Sequence, residues 1–140
     1  MSKEIKLFSQ EFEAKKDSEY FKRDVIKGAY LIGAYAKAII DSSYKNSGGV
    51  VSENETFKKW LSNQQIIQSN LKRIFNKANE FERKFNLGSK RNRDLSTLVT
   101  TYFIEDSSEK VLQQEVSFSF VRGFNDYAKF KKENLYQGEQ

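Results

Sequence analysis

Between Val25 and Ile40 apolar residues recur every three or four positions: Val25, Ala29, Ile32, Ala36 and Ile39 or Ile40. That spacing is the stripe of an α-helix. Tyr30 and Leu31 widen it until the middle of the segment reads as buried nearly all round. The predicted helix runs from a cap at Asp17 or Ser18 to about Tyr44, ending in an Asn46-Ser47-Gly48-Gly49 loop. Gly28 and Gly33 each cost about 1 kcal/mol against Ala inside a helix, so their presence predicts close approach of a second helix. Further on, Ser52-Glu53-Asn54-Glu55 has the form of a capping box for a short helix with Phe57, Trp60 and Leu61 on one face. Ser62-Asn63 ends it, and Ser69 or Asn70 starts the next. There Leu71, Ile74, Phe75, Ala78, Phe81 and Phe85 follow a 3.6-residue period, closed by Asn86-Leu87-Gly88.

After a polar basic loop at Ser89–Arg93, Asp94 or Asn92 caps a helix carrying Leu95, Leu98, Val99, Tyr102 and Phe103. Ser107 or Ser108 caps the last helix, whose stripe is Val111 or Leu112, Val116, Phe120, Phe124 and Tyr127, with Phe118 and Val121 to the side. The alternation from Val116 to Phe120 also suits a strand, but a lone strand would find no sheet partner. At the start, Ile5, Phe8 and Phe12 suit a helix face. The sum is an all-α bundle of five or six helices. Its organisation reads as an N-terminal segment 1–16 that is helical or mobile, a bundle over 17–132 and a tail over 133–140.

Composition narrows the chemistry. The 140 residues include no His, Cys or Pro. Without His or Cys there is no Ser-His-Asp or Cys-His arrangement, no thiolate nucleophile, and no imidazole or thiolate metal ligand. The carboxylate pairs Glu53/Glu55, Glu80/Glu82 and Glu105/Asp106 do not face each other on a helix, and they read as caps or solvated positions. No phosphate-binding glycine loop or calcium loop is present. No catalytic residue, metal site or cofactor is therefore expected. The start carries no apolar leader, and the Ala29–Ile40 stretch is too short to span a bilayer. The expected location is cytoplasmic, with no membrane partner.

Charge adds the strongest signal. Lys72, Arg73, Lys77, Arg83, Lys84, Lys90, Arg91 and Arg93 face only Glu80 and Glu82, a net +6 within residues 72–93. The whole chain carries +5, so everything else sums to −1. On a helix Arg73, Lys77 and Lys84 fall close to one line, away from the apolar stripe. Such a ridge suits the phosphates of a nucleic acid, which attract Lys and Arg without sequence reading. The blander reading is a solvated bundle face. Arg122 and Lys129 head a second, diluted basic set, and Lys58-Lys59 a third. Tyr20, Phe21 and Trp60 are candidates for stacking on bases, although aromatics at helical spacing usually serve the core.

Three segments in order carry a resemblance. They are Lys27-Gly28-Ala29-Tyr30-Leu31-Ile32-Gly33; then Phe57-Lys58-Lys59-Trp60-Leu61 with Leu71-Lys72-Arg73-Ile74-Phe75; then Phe118-Ser119-Phe120-Val121-Arg122-Gly123-Phe124. Over about residues 20–130 the chain resembles the C-terminal helical domain of the large subunit of type I-B CRISPR effector (Cascade) complexes. In that family the same segment is also made separately, from an internal start, as the small subunit. The resemblance implies a non-catalytic antiviral-defence subunit present in several copies along the belly of an RNA-guided complex. Its partners would be copies of itself, the large subunit, crRNA and target DNA, with the displaced strand held through backbone contacts. A helical protein-interaction adaptor, or the small subunit of a type III complex, is the alternative. In that alternative, Phe8, Phe12 and Ile66-Ile67 are the exposed apolar residues expected to dock a partner. No base-reading helix-turn-helix is found. The end, Glu133-Asn134-Leu135-Tyr136-Gln137-Gly138, is similar to a protease tag without its Phe and carries no functional weight.

Overall fold

A computed structural model describes residues 6–46 and 52–138, apart from the side chains of 43–46, 52–56 and 135–138. Within them the chain is a bundle of six α-helices: α1 (Phe8–Lys15), α2 (Asp24–Asn46), α3 (Ser52–Ser62), α4 (Leu71–Lys84), α5 (Lys90–Tyr102) and α6 (Gln113–Gly138). Short 3₁₀ turns at Glu19–Phe21 and Gln68–Asn70 precede α2 and α4. No strand occurs among the described residues, so the Val116–Phe120 alternation is helical.

Helix α2 is the axis, and α3, α4, α5 and α6 all pack on it. From Val25 to Ile40 every residue except Lys27 and Lys37 is buried. Its tightest neighbour is α6. Contacts advance together along both helices, from Arg23–Glu115 through Ile26–Ser119 to Asp41–Lys131, so the two run parallel. Two glycines permit the approach. A Cβ on Gly33 would overlap the backbone of Phe120, and one on Gly123 would overlap the backbone of Tyr30. The close approach expected of Gly33 is thus real, and Gly123 is its reciprocal partner. Gly28 faces the ring of Phe103 instead, with a Cβ position 2.7 Å from Phe103 Cδ1.

The N-terminal segment is built into the core. Phe8 and Phe12 are 2% and 0% exposed, which corrects their reading as exposed docking residues. Phe8 packs edge-on against Tyr127 and Phe130, and Phe12 against Phe21 and Tyr102. Burying each ring contributes about 1.5–3 kcal/mol. Asp94 on α5 accepts a hydrogen bond from Ser9 N at 3.2 Å, satisfying a free amide at the start of α1.

Several predicted boundaries move. Helix α2 begins at Asp24, not after Asp17 or Ser18, because the Glu19–Phe21 turn swings Phe21 into the core. Its start is served from afar: Glu109 Oε1 accepts from Val25 N at 2.9 Å. Ser107 does not cap α6. Its hydroxyl accepts from Glu109 N at 3.2 Å and helps aim Glu109 at α2. The supposed basic loop 89–93 is the first turn of α5, with Ser89 Oγ accepting from Asn92 N at 3.1 Å. Asn92 is buried and donates to Ser42 Oγ at 2.9 Å and Leu87 O at 2.8 Å. The Asn86-Leu87-Gly88 cap does form, with Asn86 rather than Gly88 left-handed (φ 57°). Leu87 N reaches Glu82 O and Asn86 N reaches Arg83 O, the paired bonds of a Schellman ending. Helix α6 continues to Gly138, through the segment read as a tail. The Ser47–Gly49 part of the predicted loop and the Ser52–Glu55 side-chain box lie outside what the structure describes.

Candidate functional site

The ten candidate cations divide by what they touch. Lys72 lies 3.6 Å from Glu105, Lys77 3.4 Å from Glu80, and Arg122 3.8 Å from Asp126. Arg73, Arg83, Lys84, Lys90, Arg91, Arg93 and Lys129 have no carboxylate within 4.0 Å among the described residues.

The outward face of α4 gathers Arg73, Lys77 and Lys84, with Glu80 between them on the same line. Leu71, Ile74, Phe75, Ala78 and Phe81 are buried on the opposite side. The cations of this face meet aromatic rings. Arg73 Cζ and Lys77 Nζ lie 5.9 and 5.7 Å from the centre of the Trp60 ring. Lys77 is also 5.9 Å from the Phe81 ring, and Lys84 5.5 Å from Phe85. Such contacts hold a cation without neutralising it, each contributing about 0.5–1 kcal/mol at exposed sites.

Trp60 is carried on the last turn of α3, whose end is closed by side chains. Ser62 Oγ and Asn63 Nδ2 donate to Lys59 O at 2.8 and 3.1 Å, and Gln64 Nε2 to Trp60 O at 3.3 Å. The Trp60 ring lies nearly parallel to Phe57, which is itself fully buried. Trp60 and Arg73 are brought together across the α3–α4 connection. Periodicity within either helix carries no sign of this meeting, which is why Trp60 was not grouped with the ridge. Lys58 and Lys59 are exposed on the same helix.

The α5 set is split. Lys90 and Arg93 are exposed, and Arg93 reaches back towards the end of α4: a Cβ on Gly88 would lie 3.2 Å from Arg93 Nη1 and 3.5 Å from Glu82 Oε2. Arg91 turns the other way. Its Nε is buried without a hydrogen-bond partner, and its charge is felt by the buried Tyr127 of α6. Three cations in the first turn of α5 oppose the helix dipole, which favours anions there.

Arg122 and Lys129 belong to a different surface. Arg122 stacks 4.2 Å from the Tyr20 ring and pairs with Asp126, which also accepts from Tyr30 Oη at 2.6 Å and lies 3.6 Å from Lys15. The side of α6 that meets the α3–α4 connection is instead Phe120, Val121, Phe124 and Asn125, which with Leu61, Ser62, Gln64 and Ile66 line an apolar cleft of about 420 Å³. Of the stacking candidates, Phe21 is 1% exposed and Tyr20 is covered by Arg122.

Glu82 is the departure among the acids. It is 8% exposed, not solvated, and accepts from Tyr35 Oη, which is also 3.2 Å from Asn79 Oδ1. Burial, and then the bond to Glu82, push the Tyr35 hydroxyl far above its ordinary range. Burial and then Asp126 do the same to Tyr30. Burial pushes Tyr127 up to about 12. These hydroxyls are fixed donors or buried packing groups, not proton shuttles near neutrality. Among the described residues no cluster of three or more acidic side chains could hold a metal ion, and no helix is long and apolar enough to cross a membrane.

No family model matches the chain, no curated protein is similar to it, and no solved structure matches its fold.

Proposed function

We propose that this chain is a non-catalytic helical subunit that holds a nucleic-acid strand by its phosphates. The observation that carries the reading is the outward face of α4, where Arg73 and Lys84 have no carboxylate within 4.0 Å among the described residues, and where Arg73 and Lys77 rest beside Trp60. Backbone binding needs mobile, unneutralised cations on a rigid element and no base-reading helix. A fuller form of the proposal follows the resemblance in the sequence: a small subunit of a type I CRISPR effector, with copies of itself, the large subunit, crRNA and target DNA as partners.

The test is binding of a labelled oligothymidylate to the full chain across a salt series. Affinity should fall with salt at a log–log slope of about −0.7 per phosphate engaged. Changing Arg73, Lys77 and Lys84 together to Glu should weaken binding roughly 10- to 100-fold. Unchanged affinity in that variant, or no salt-dependent binding by the wild type, overturns the reading. Co-purification of the tagged chain with a ribonucleoprotein tests the fuller form, and recovery free of RNA counts against it.

One observation favours a second reading, a protein-interaction adaptor. Helix α6 leaves Phe118 and Val121 62% and 48% exposed, and Leu112 just before it is 65% exposed. Capture of a protein partner that survives nuclease treatment and the α4 charge reversal would support that reading over the first.

A further inference from the structure

We infer that Trp60 is a base-stacking platform, so that the α4 face takes unpaired nucleotides in preference to a duplex. This rests on the nucleic-acid reading above and deepens it. Trp60 is the chain's one tryptophan. It is partly exposed, although its neighbours Phe57 and Phe81 are buried. Every base presents a π-face, and a single strand can splay its bases outward, whereas a duplex hides them.

The geometry suits a base at the ring with phosphates beside it. The indole is fixed from beneath by the core, through the near-parallel Phe57 ring 6.2 Å away. Its α3 turn is held by the Ser62, Asn63 and Gln64 side chains. A platform that is already ordered loses little freedom on binding. Arg73 and Lys77 lie over the ring, 5.9 and 5.7 Å from its centre, so a base entering there displaces these long, flexible side chains towards its own flanking phosphates. Both are within reach of the phosphates that flank a base resting there, Lys77 by exchanging its Glu80 partner for a phosphate, and Lys84 continues the line about two turns further along α4. Tyr20, by contrast, is covered by Arg122 at 4.2 Å.

The experiment uses the fluorescence of the full-length wild type excited at the red edge of the absorption band, where the seven tyrosines do not absorb and Trp60 alone reports. Three titrants are compared at matched salt: a short oligothymidylate, a duplex of the same length, and inorganic polyphosphate. Stacking should quench the indole with the single strand, and much less with the duplex or with polyphosphate, which supplies anions but no base. Read by the anisotropy of labelled oligothymidylate and duplex, since the variant has no tryptophan, Trp60→Leu should weaken single-strand binding roughly 5- to 150-fold, the range for one stacked base, and should erase the preference over duplex. Trp60→Phe, which keeps a ring and most of the packing, should retain part of both. Melting curves on both variants confirm that they remain folded. If oligothymidylate binds with the predicted salt dependence but equal quenching by polyphosphate is seen, or Trp60→Leu binds like wild type, the stacking role is overturned while the phosphate-binding reading stands. If none of the three titrants binds, the reading beneath it falls as well.

Discussion

Both sides of α2 set cations over aromatic rings, but they differ in how often a carboxylate also pairs with the cation. Around α1, α2 and α6 five cations are paired with carboxylates: Arg23 with Glu115, Lys15 and Arg122 with Asp126, Lys37 and Lys131 with Asp41; Lys129 has none within 4.0 Å among the described residues. On α4 both arrangements occur: Lys72 and Lys77 pair with Glu105 and Glu80, while Arg73 and Lys84 lie against rings with no carboxylate within 4.0 Å among the described residues. The first side is also where the backbones approach most closely, at Gly33 and Gly123. A paired cation spends its field on its neighbour, whereas a cation on a ring keeps most of its charge for a third party. The difference separates a side that holds the fold from a side that presents charge.

The largest effect belongs to the α2–α6 seam. Gly123→Ala places a methyl group into the backbone of Tyr30, and Gly33→Ala into the backbone of Phe120. Neither neighbour is a flexible side chain that could swing away. The helices must separate, with loss of packing along their length. Each variant should lose about 3 kcal/mol or more, a large share of the marginal stability of a domain this size. Thermal melting measures it. A fall of under about 1 kcal/mol would mean that the seam is not what holds the bundle.

Next is Tyr35→Phe, at the border between the two sides. The hydroxyl serves the buried Glu82 carboxylate on α4. Its removal leaves an under-bonded acceptor in the core and should cost about 2–3 kcal/mol. Tyr35→Phe with Glu82→Leu should recover part of that loss, because an apolar pair leaves nothing unsatisfied. Chemical denaturation of the single and double variants checks both statements.

The buried tyrosines also set an alkaline limit. Tyr30, Tyr35 and Tyr127 all have hydroxyls raised above the ordinary 10.0, Tyr127 to about 12. Below pH 10 both folded and unfolded chains keep these protons, and the stabilisation is fully present. Above it the unfolded chain releases them while the folded chain does not, so stability falls as pH rises towards 12 and beyond. The melting temperature should fall progressively from about pH 10 to about pH 12. Tyr127→Phe, which removes a titrating group without removing a hydrogen bond named here, should make that drop shallower.

A direct contrast in binding follows. Arg73→Gln on the presenting side should weaken oligothymidylate binding about 3- to 10-fold with little change in melting. Arg122→Gln on the holding side should leave binding near wild type, since Arg122 is already engaged by Asp126 and Tyr20. Equal losses from both would dissolve the distinction between paired and presented charge.

The helices of this bundle were legible because each carries one apolar stripe. The α4 set of Leu71, Ile74, Phe75, Ala78 and Phe81 is buried as its spacing demands. Starts of helices were not legible where the satisfying group is remote in sequence. Val25 is served by Glu109 and Ser9 by Asp94, 84 and 85 positions away, and no local motif announces either. Glu82 was misread for a related reason. Its charge suggested solvent, but its place beside Ala78 and Phe81 on the inward arc of α4 put it opposite Tyr35. The basic ridge was legible as composition and helical phase. Its division into paired and presented cations was not, because that depends on acids and rings from other helices.

The smallest effect sharpens the account of the glycines. Gly28 also lies on α2, but what a Cβ would meet there is mainly Phe103 Cδ1, at 2.7 Å. Phe103 follows the last turn of α5 and is only partly buried. Its Cα and Cβ are at ordinary contact distance, 3.5 Å, so the ring alone has to move. An off-rotamer ring costs about 0.5–1.5 kcal/mol, while Ala in place of Gly within a helix returns about 0.5–1 kcal/mol. Gly28→Ala should therefore change stability by less than about 1 kcal/mol in either direction, measured beside Gly33→Ala in the same melting series. A loss as large as that of Gly33→Ala would show that α5, and not α6 alone, is pinned to α2 by a backbone-tight contact. In that case the closely packed side of the molecule extends around α2 to Phe103.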